Sequence, residues 1–214
     1  MKRALIICGG WEGHHPEETS KGIAETLTAE SFKIELSNTL EPLGDLNRLT
    51  TFDLVIPNWT MGTLRPEQEE ALRAAVQSGV GLGGFHGGMG DAFRSSITYQ
   101  FITGGQFVAH PDDITEYTVN IVKKSDPIVA GLSNFRVLSE QYYMHVDPAV
   151  EILATTTFKT RSAPWINGTV MPVAWKRMYG AGRVFFCSIG HTTADFAIPE
   201  VIQMIRRGLC WAAR

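Results

Sequence analysis

Residues 80–88, VGLGGFHGG, decide the fold, because an apolar run ends there in a tight glycine turn that has a histidine at its centre. The run 80–84 is typical of a buried strand. His86 then occupies the position at which a strand-to-helix elbow would carry a nucleophile. Just upstream, residues 66–77 have the apolar spacing of an amphipathic helix, which Gly79 ends. This stretch therefore predicts a helix, a buried strand and a sharp turn in succession, as in an α/β protein.

The amino-terminal part of the chain shows the same alternation of strands and helices. Residues 3–8 and 53–57 are short apolar runs, and residues 32–36 alternate like a strand. Residues 16–28 begin with a proline and two glutamates, which suit the first turn of a helix. The resulting β-α-β-β-α-β order predicts a parallel sheet that helices cover on both faces.

The middle third changes character before the α/β pattern returns. Short β-branched or aromatic runs at 116–138, 149–157 and 171–175 are separated by turn residues, as antiparallel strands and hairpins would be. Residues 183–188 then form another strand, and residues 199–213 a closing helix. We predict one domain over residues 1–214, a parallel sheet flanked by helices with a β-rich insertion.

Composition narrows the range of partners. The 214 residues include 19 basic and 22 acidic side chains, with no basic run longer than a pair, so neither nucleic acid nor a membrane is expected as a partner. Three cysteines without C-x-x-C spacing predict neither a disulfide framework nor a thiolate zinc site. The apolar run after Met1 is too short for a signal peptide. We expect a cytoplasmic protein with a small-molecule substrate, and a homo-oligomer remains open.

Histidines follow several of the predicted strands. His86 ends the glycine-rich strand, His191 follows residues 183–188, and His110 precedes Pro111 and two aspartates. Because the loops at the carboxyl ends of parallel strands meet in one crevice, we expect these histidines to lie close together. Glu140 adds a carboxyl group for acid/base chemistry. The predicted catalytic residues are His86, His191, Glu140 and His110.

Other aromatic and imidazole side chains are candidates for binding the substrate. Trp11 and Trp59 each follow a strand-like run, and a flat ring beside polar groups suits a sugar or a nucleobase. If residues 139–147 are extended, Glu140 and Tyr142 share one face. Each feature alone is equally typical of a turn, an edge strand or a core residue. The predicted substrate-binding residues are Trp11, His14, His15, Trp59, Tyr142 and Tyr143.

Taken together, the motifs of the chain resemble those of the ThuA-like family, named for trehalose utilisation. The matching segments occur in order along nearly the whole chain: Gly10-Trp11 with His14-His15-Pro16, Phe85-His86-Gly87-Gly88, Gly104-Gly105-Gln106-Phe107 with His110-Pro111, Glu140-Gln141-Tyr142-Tyr143, Pro172-Val173-Ala174-Trp175, Gly180-Ala181-Gly182-Arg183-Val184, Gly190-His191, and Arg207-Gly208-Leu209-Cys210-Trp211-Ala212.

The resemblance implies a class I glutamine amidotransferase-like, flavodoxin-like fold and a role in carbohydrate metabolism, on glycosides or on sugars oxidised to the 3-keto level. The nucleophilic cysteine of the amidotransferases would fall at His86, and their base histidine near His191. An imidazole cannot replace a thiolate in forming an acyl intermediate, so the chain is not expected to be a glutaminase.

The sequence thus favours a sugar-processing lyase, isomerase or hydrolase that works by His/Glu proton transfer and needs no nucleotide, since Gly9 to Gly13 lack the dinucleotide-binding spacing. Two alternatives remain open. In one, His86, His110 and His191 bind zinc or another divalent ion and the enzyme is metal-dependent. In the other, the protein binds a sugar without catalysis, or is regulatory.

Overall fold

A computed structural model describes all of residues 1–214. It contains eleven strands: β1 (Arg3–Gly10), β2 (Lys33–Ser37), β3 (Leu54–Thr60), β4 (Gly81–Phe85), β5 (Gly105–Ala109), β6 (Ile114–Ile121), β7 (Phe135–Glu140), β8 (Tyr143–Val146), β9 (Glu151–Thr157), β10 (Val170–Tyr179) and β11 (Gly182–Cys187). The helices are α1 (Pro16–Ala29), α2 (Leu46–Leu49), α3 (Pro66–Gln77), α4 (His86–Gly90), α5 (Ile97–Thr103), α6 (Thr193–Phe196) and α7 (Pro199–Ala212). None of these helices combines the length and apolar composition needed to cross a bilayer.

Nine of the strands form one mixed sheet in the order β2-β1-β3-β4-β11-β10-β9-β6-β7. The first five are parallel, and every pair from β11 to β7 is antiparallel. The expected parallel sheet is therefore only half of the structure. The predicted β-rich insertion does not form a separate unit, because its strands continue the sheet from the edge of β11. Strands β5 and β8 form a small antiparallel ribbon of their own.

Helices cover both faces of the parallel half. Successive residues of β1 alternate between two apolar clusters, with Ala4 and Ile6 in one and Leu5 and Ile7 in the other. Helices α1 and α7 contribute to the first cluster, and α3 and α5 to the second. This two-sided burial explains why the parallel strands are continuous apolar runs in the sequence.

Candidate metal and active site

Four strand ends at one edge of the sheet carry a compact group of side chains. His14 follows β1 through a 3₁₀ turn, His86 directly follows β4, and His191 lies just beyond β11. Glu140 ends β7, which runs in the same direction as the parallel strands because the antiparallel strands alternate in direction from β11 outward. One potential ligand atom from each of these four residues lies within 4.8 Å of the others.

The glycine turn after β4 sets the position of His86. The backbone of His86 has a φ of +46°, a left-handed conformation that only a tight turn imposes on a residue with a side chain. The following glycines allow close packing: a Cβ on Gly87 would lie 2.4 Å from the His14 ring, and one on Gly88 would lie 2.2 Å from the Asn58 amide oxygen. The turn thus brings the imidazoles of His86 and His14 together, with ring centroids 4.6 Å apart.

Hydrogen bonds orient two of the imidazoles. His86 Nδ1 donates to the Ser188 carbonyl oxygen at 2.9 Å, so its Nε2 carries the lone pair. His14 Nδ1 is hydrogen-bonded to the Thr60 hydroxyl at 2.7 Å, which leaves its Nε2 facing Glu140. The Tyr142 hydroxyl lies within hydrogen-bond distance of His86 Nε2, at 2.9 Å. Metal-binding histidines are typically held in this way, by a hydrogen bond from the nitrogen that does not bind the metal.

The Glu140 carboxylate lies at the centre of the imidazoles. Its Oε2 is 3.0 Å from His86 Nε2 and 3.8 Å from His14 Nε2, and its Oε1 is 3.5 Å from His191 Nδ1. Although both are buried, neither Glu140 Oε2 nor His191 Nδ1 has a hydrogen-bond partner. A buried polar atom without a partner is costly and therefore rare in a folded protein. Four potential metal-ligand atoms therefore face one another at the centre of the group.

The pKa shifts follow from this packing. Burial alone would raise the pKa of Glu140, but the imidazoles of His14, His191 and His86 outweigh it and hold that pKa well below its usual range. Burial lowers the pKa of His86, against the opposing effect of Glu140. The Glu140 carboxylate raises the pKa of His191. At neutral pH the centre therefore holds an ionised carboxylate next to a neutral His86, which is a suitable environment for a cation.

Three further predicted residues border the group, two of them partly exposed and one buried. His110 Nε2 is 3.8 Å from Glu140 Oε1, and its ring is partly exposed, with Nδ1 3.3 Å from an Asp113 oxygen. Trp11, 48% exposed, packs edge-on against His14 at 4.7 Å between ring centroids. Tyr142 stacks on His86 at 4.3 Å. The structure thus brings together all four residues predicted to be catalytic, with Trp11, His14 and Tyr142.

Three of the predicted substrate-binding residues lie elsewhere. His15 projects outward, where its nearest charged partner is Glu18 at 3.8 Å. Trp59 lies within β3, beyond the predicted strand end, and its ring covers Gly9. Tyr143 packs against Phe158 because β7 ends before it, so residues 139–147 are not one continuous strand. The zinc ligands predicted as His86, His110 and His191 also differ from the compact group, in which His14 and Glu140 stand in place of His110.

Sequence reasoning missed the residues that support the group from outside. Thr60 and the Ser188 carbonyl orient His14 and His86, and Asp195 accepts the backbone N–H of His191 at 2.8 Å. A carbonyl group leaves no trace in a sequence, and Thr60 lies 46 positions from His14. Only Asp195 offered a signal, since it is an acidic residue four positions after a predicted site histidine.

The fold and the site together define an α/β protein with a buried three-histidine, one-glutamate centre at the carboxyl ends of its parallel strands. The chain belongs to the ThuA family, described as trehalose utilisation, whose family model matches residues 3–212. Among curated proteins, none matches the chain. A role related to trehalose utilisation follows from the family.

Solved structures share the fold at low sequence identity. A ThuA-like protein from Parabacteroides merdae ATCC 43184 is 19% identical with a TM-score of 0.78, and the match covers 99% of this chain and 89% of that one. A ThuA-like protein from Bacteroides uniformis ATCC 8492 is 15% identical with the same TM-score, covering 99% and 91%. The β-galactosidase from Rahnella sp. R3 contains a similar domain, at 18% identity and a TM-score of 0.62, covering 99% of this chain and 30% of that one.

Proposed function

We propose that this protein is a sugar-processing lyase, isomerase or hydrolase whose centre of His14, His86, Glu140 and His191 binds a divalent cation such as zinc. The observation that carries the proposal is the buried Glu140 Oε2, which has no hydrogen-bond partner although it faces the Nε2 atoms of two oriented histidines. With His86 Nδ1 protonated, its Nε2 lone pair points toward a carboxylate, and two acceptors at 3.0 Å repel each other unless a proton or a cation lies between them.

The four ligand atoms suit zinc both in their chemical type and in the distances between them. Imidazole nitrogen and carboxylate oxygen are common zinc ligands, and four of them about 2.0–2.1 Å from a tetrahedral ion would lie about 3.4 Å apart. Glu140 contacts His86 and His14 through Oε2 at 3.0 and 3.8 Å and His191 through Oε1 at 3.5 Å, which bracket that spacing. All four ligand atoms lie within 4.8 Å of one another, so they would move closer together around an ion. When bound, the cation would act as a Lewis acid on a carbonyl or hydroxyl oxygen of the sugar.

Two side chains are placed to move protons. Burial raises the pKa of Tyr142 well above its ordinary value, so its hydroxyl stays protonated and serves as a donor. Of the four histidines whose rings face Glu140, His110 is the most open to solvent, so we assign it the part of base. In a 3-keto-glycoside the carbonyl group acidifies the neighbouring C–H bond, and a base that removes this proton allows the glycosidic oxygen to leave.

A neutral sugar fits the surroundings of the centre. The family description names a disaccharide pathway, and the half-exposed indole ring of Trp11 beside the polar group provides the flat apolar face on which sugar rings stack. Around the opening, His110 is partly exposed and provides hydrogen-bonding capacity for hydroxyl groups. We therefore propose glycosides or 3-keto-glycosides as substrates.

Two measurements on the purified protein test this function. Metal analysis should find about one zinc or other divalent ion per chain, and the metal-loaded protein should turn over 3-keto-glycosides, such as 3-keto-trehalose, faster than the parent glycosides. Removal of the metal by a chelator should abolish turnover, and its return should restore it. Sugar binding without turnover by the metal-loaded protein would instead identify a non-catalytic sugar-binding protein, and failure to bind any divalent ion would refute the metal centre.

The Tyr142→Phe variant tests the proton donor. We expect kcat to fall by about two orders of magnitude, because a general acid contributes about that much or more. Metal content should not change, because the lost hydroxyl is not among the four ligands. Tyr143→Phe is the matched control, since its ring packs on Phe158 outside the group, and it should keep wild-type turnover. If Tyr142→Phe also keeps wild-type kcat, Tyr142 is not the donor.

A further inference from the structure

One carboxylate oxygen, Asp195 Oδ2, forms hydrogen bonds with both β7 and the loop that carries His191. Asp195 lies in α6, is only 4% exposed, and contacts the group through its Oδ2 atom alone. This oxygen accepts hydrogen bonds from the Ser139 hydroxyl at 2.8 Å, the Gly190 N–H at 3.1 Å and the His191 N–H at 2.8 Å. Ser139 directly precedes Glu140, so both ends of the bridge are next to or within the proposed ligand set.

The sheet itself does not set the distance between these two elements. Strand β11, which precedes His191, and strand β7, which carries Glu140, are separated in the sheet by β10, β9 and β6. Strands are spaced about 4.8 Å apart, so a flat sheet would hold β11 and β7 roughly 19 Å from each other. Yet Glu140 Oε1 and His191 Nδ1 are 3.5 Å apart. The loop beyond β11 and the two side chains therefore span this gap, and Asp195 makes a contact across it.

Glu140 receives a second support from the same side. The Tyr117 hydroxyl of β6 donates to the Glu140 carbonyl oxygen at 3.2 Å, which holds the main chain at the end of β7. This hydrogen bond, however, does not connect β7 to the loop that carries His191. Among the hydrogen bonds of the structure, those of Asp195 therefore link the antiparallel half of the sheet, through Ser139, to the loop that carries His191.

We propose that Asp195 is a positioning residue that fixes Glu140 relative to His191 and thereby sets the affinity and geometry of the cation site. The inference rests on the proposed function, since it concerns how the four ligands are held for a cation. It assigns Asp195 no contact with the cation or the substrate. Its three hydrogen bonds act on the backbone and on Ser139, so their loss would shift two ligands without removing either.

The test compares Zn²⁺ affinity and the visible absorption spectrum of bound Co²⁺ in the wild type, Asp195→Ala and Ser139→Ala. We expect Asp195→Ala to lose about 10- to 100-fold in Zn²⁺ affinity, as residues that support metal ligands typically do. The Co²⁺ spectrum should also change, because it reports the coordination geometry. Ser139→Ala removes one of the three hydrogen bonds, and its Zn²⁺ affinity should fall about fivefold. This second variant keeps the test informative if Asp195→Ala folds poorly.

Asp126→Asn is the matched control. Asp126 is equally buried, and it binds the Ile128 N–H and Lys176 without touching the four ligands. Its replacement should lower stability yet leave Zn²⁺ affinity and the Co²⁺ spectrum unchanged. If Asp195→Ala and Ser139→Ala bind both ions as the wild type does, the inference is wrong while the metal centre stands. If the wild type binds neither ion, the metal centre and the inference fall together.

Discussion

Replacing Glu140 by glutamine should remove the response of the protein to zinc. Glu140 is the only carboxylate of the four-residue group, and an amide supplies neither its charge nor a second oxygen. We expect Zn²⁺ affinity to fall by more than about 100-fold, since even residues that only support a metal ligand cost about 10- to 100-fold. Turnover should fall with it, because the sugar oxygen would lose its Lewis acid.

Thermal unfolding with and without zinc measures this effect. At a zinc concentration about 100 times the Kd, binding should add about 2.7 kcal/mol to the stability of the wild type. For a chain of this length, that raises Tm by roughly 5–11 °C. Zinc should raise the Tm of Glu140→Gln by no more than about 1–2 °C, because its Kd would then equal or exceed the zinc concentration. Glu116→Gln is the control, since Glu116 pairs with Arg136 on the surface, and it should respond as the wild type does. If zinc raises the Tm of Glu140→Gln as much as that of the wild type, Glu140 is not a metal ligand.

A large loss of stability is expected from a methyl group added at Gly208, where α7 packs on β11. A Cβ on Gly208 would lie 2.2–2.3 Å from three atoms of the Phe185 ring, which is fully buried. A rigid ring between a sheet and a helix cannot give way, so the helix must shift. Overpacking of this kind costs about 1–3 kcal/mol. We therefore expect Gly208→Ala to lower Tm by roughly 2–12 °C.

Gly22→Ala provides the opposite result under the same measurement. Gly22 lies inside α1, and the nearest atom to an added Cβ is on the Phe196 ring at 3.6 Å, an ordinary contact. Because alanine favours the helix over glycine by about 0.5–1 kcal/mol, this variant should be more stable than the wild type. Denaturant unfolding of both variants measures whether each is less or more stable than the wild type. The comparison holds if the slope of the unfolding free energy against denaturant concentration is the same for all three proteins. If Gly208→Ala is as stable as Gly22→Ala, the close packing of α7 on β11 is wrong.

The parts of the fold that the sequence predicted well are those in which local periodicity and burial agree. The helix predicted over residues 66–77 is α3, Pro66–Gln77, because its apolar stripe and the following Gly79 both mark its end. The parallel strands were recognisable as apolar runs, since helices cover both of their faces. The ThuA-like motifs, spread over the whole chain, identified the family.

The antiparallel half was predicted only as a β-rich region. Its strands alternate between buried and exposed residues, a pattern that specifies a strand but not its neighbour. Nothing local shows that β10 joins the edge of β11, or that β7 becomes the last strand of the same sheet. The direction of β7 follows from that pairing, and with it the position of Glu140 at the edge where His86 lies.

The sequence by itself determined the α/β character of the chain, its family and the presence of histidines after several strands, because turn residues and apolar periods are local properties. Only the tertiary structure decided which side chains form the centre. His15 and His14 are adjacent in the chain, yet one faces outward and the other Glu140, since a 3₁₀ turn rotates successive side chains apart. Glu140 and His191 meet across the sheet through hydrogen bonds between distant residues, and such contacts depend on the folded path of the whole chain.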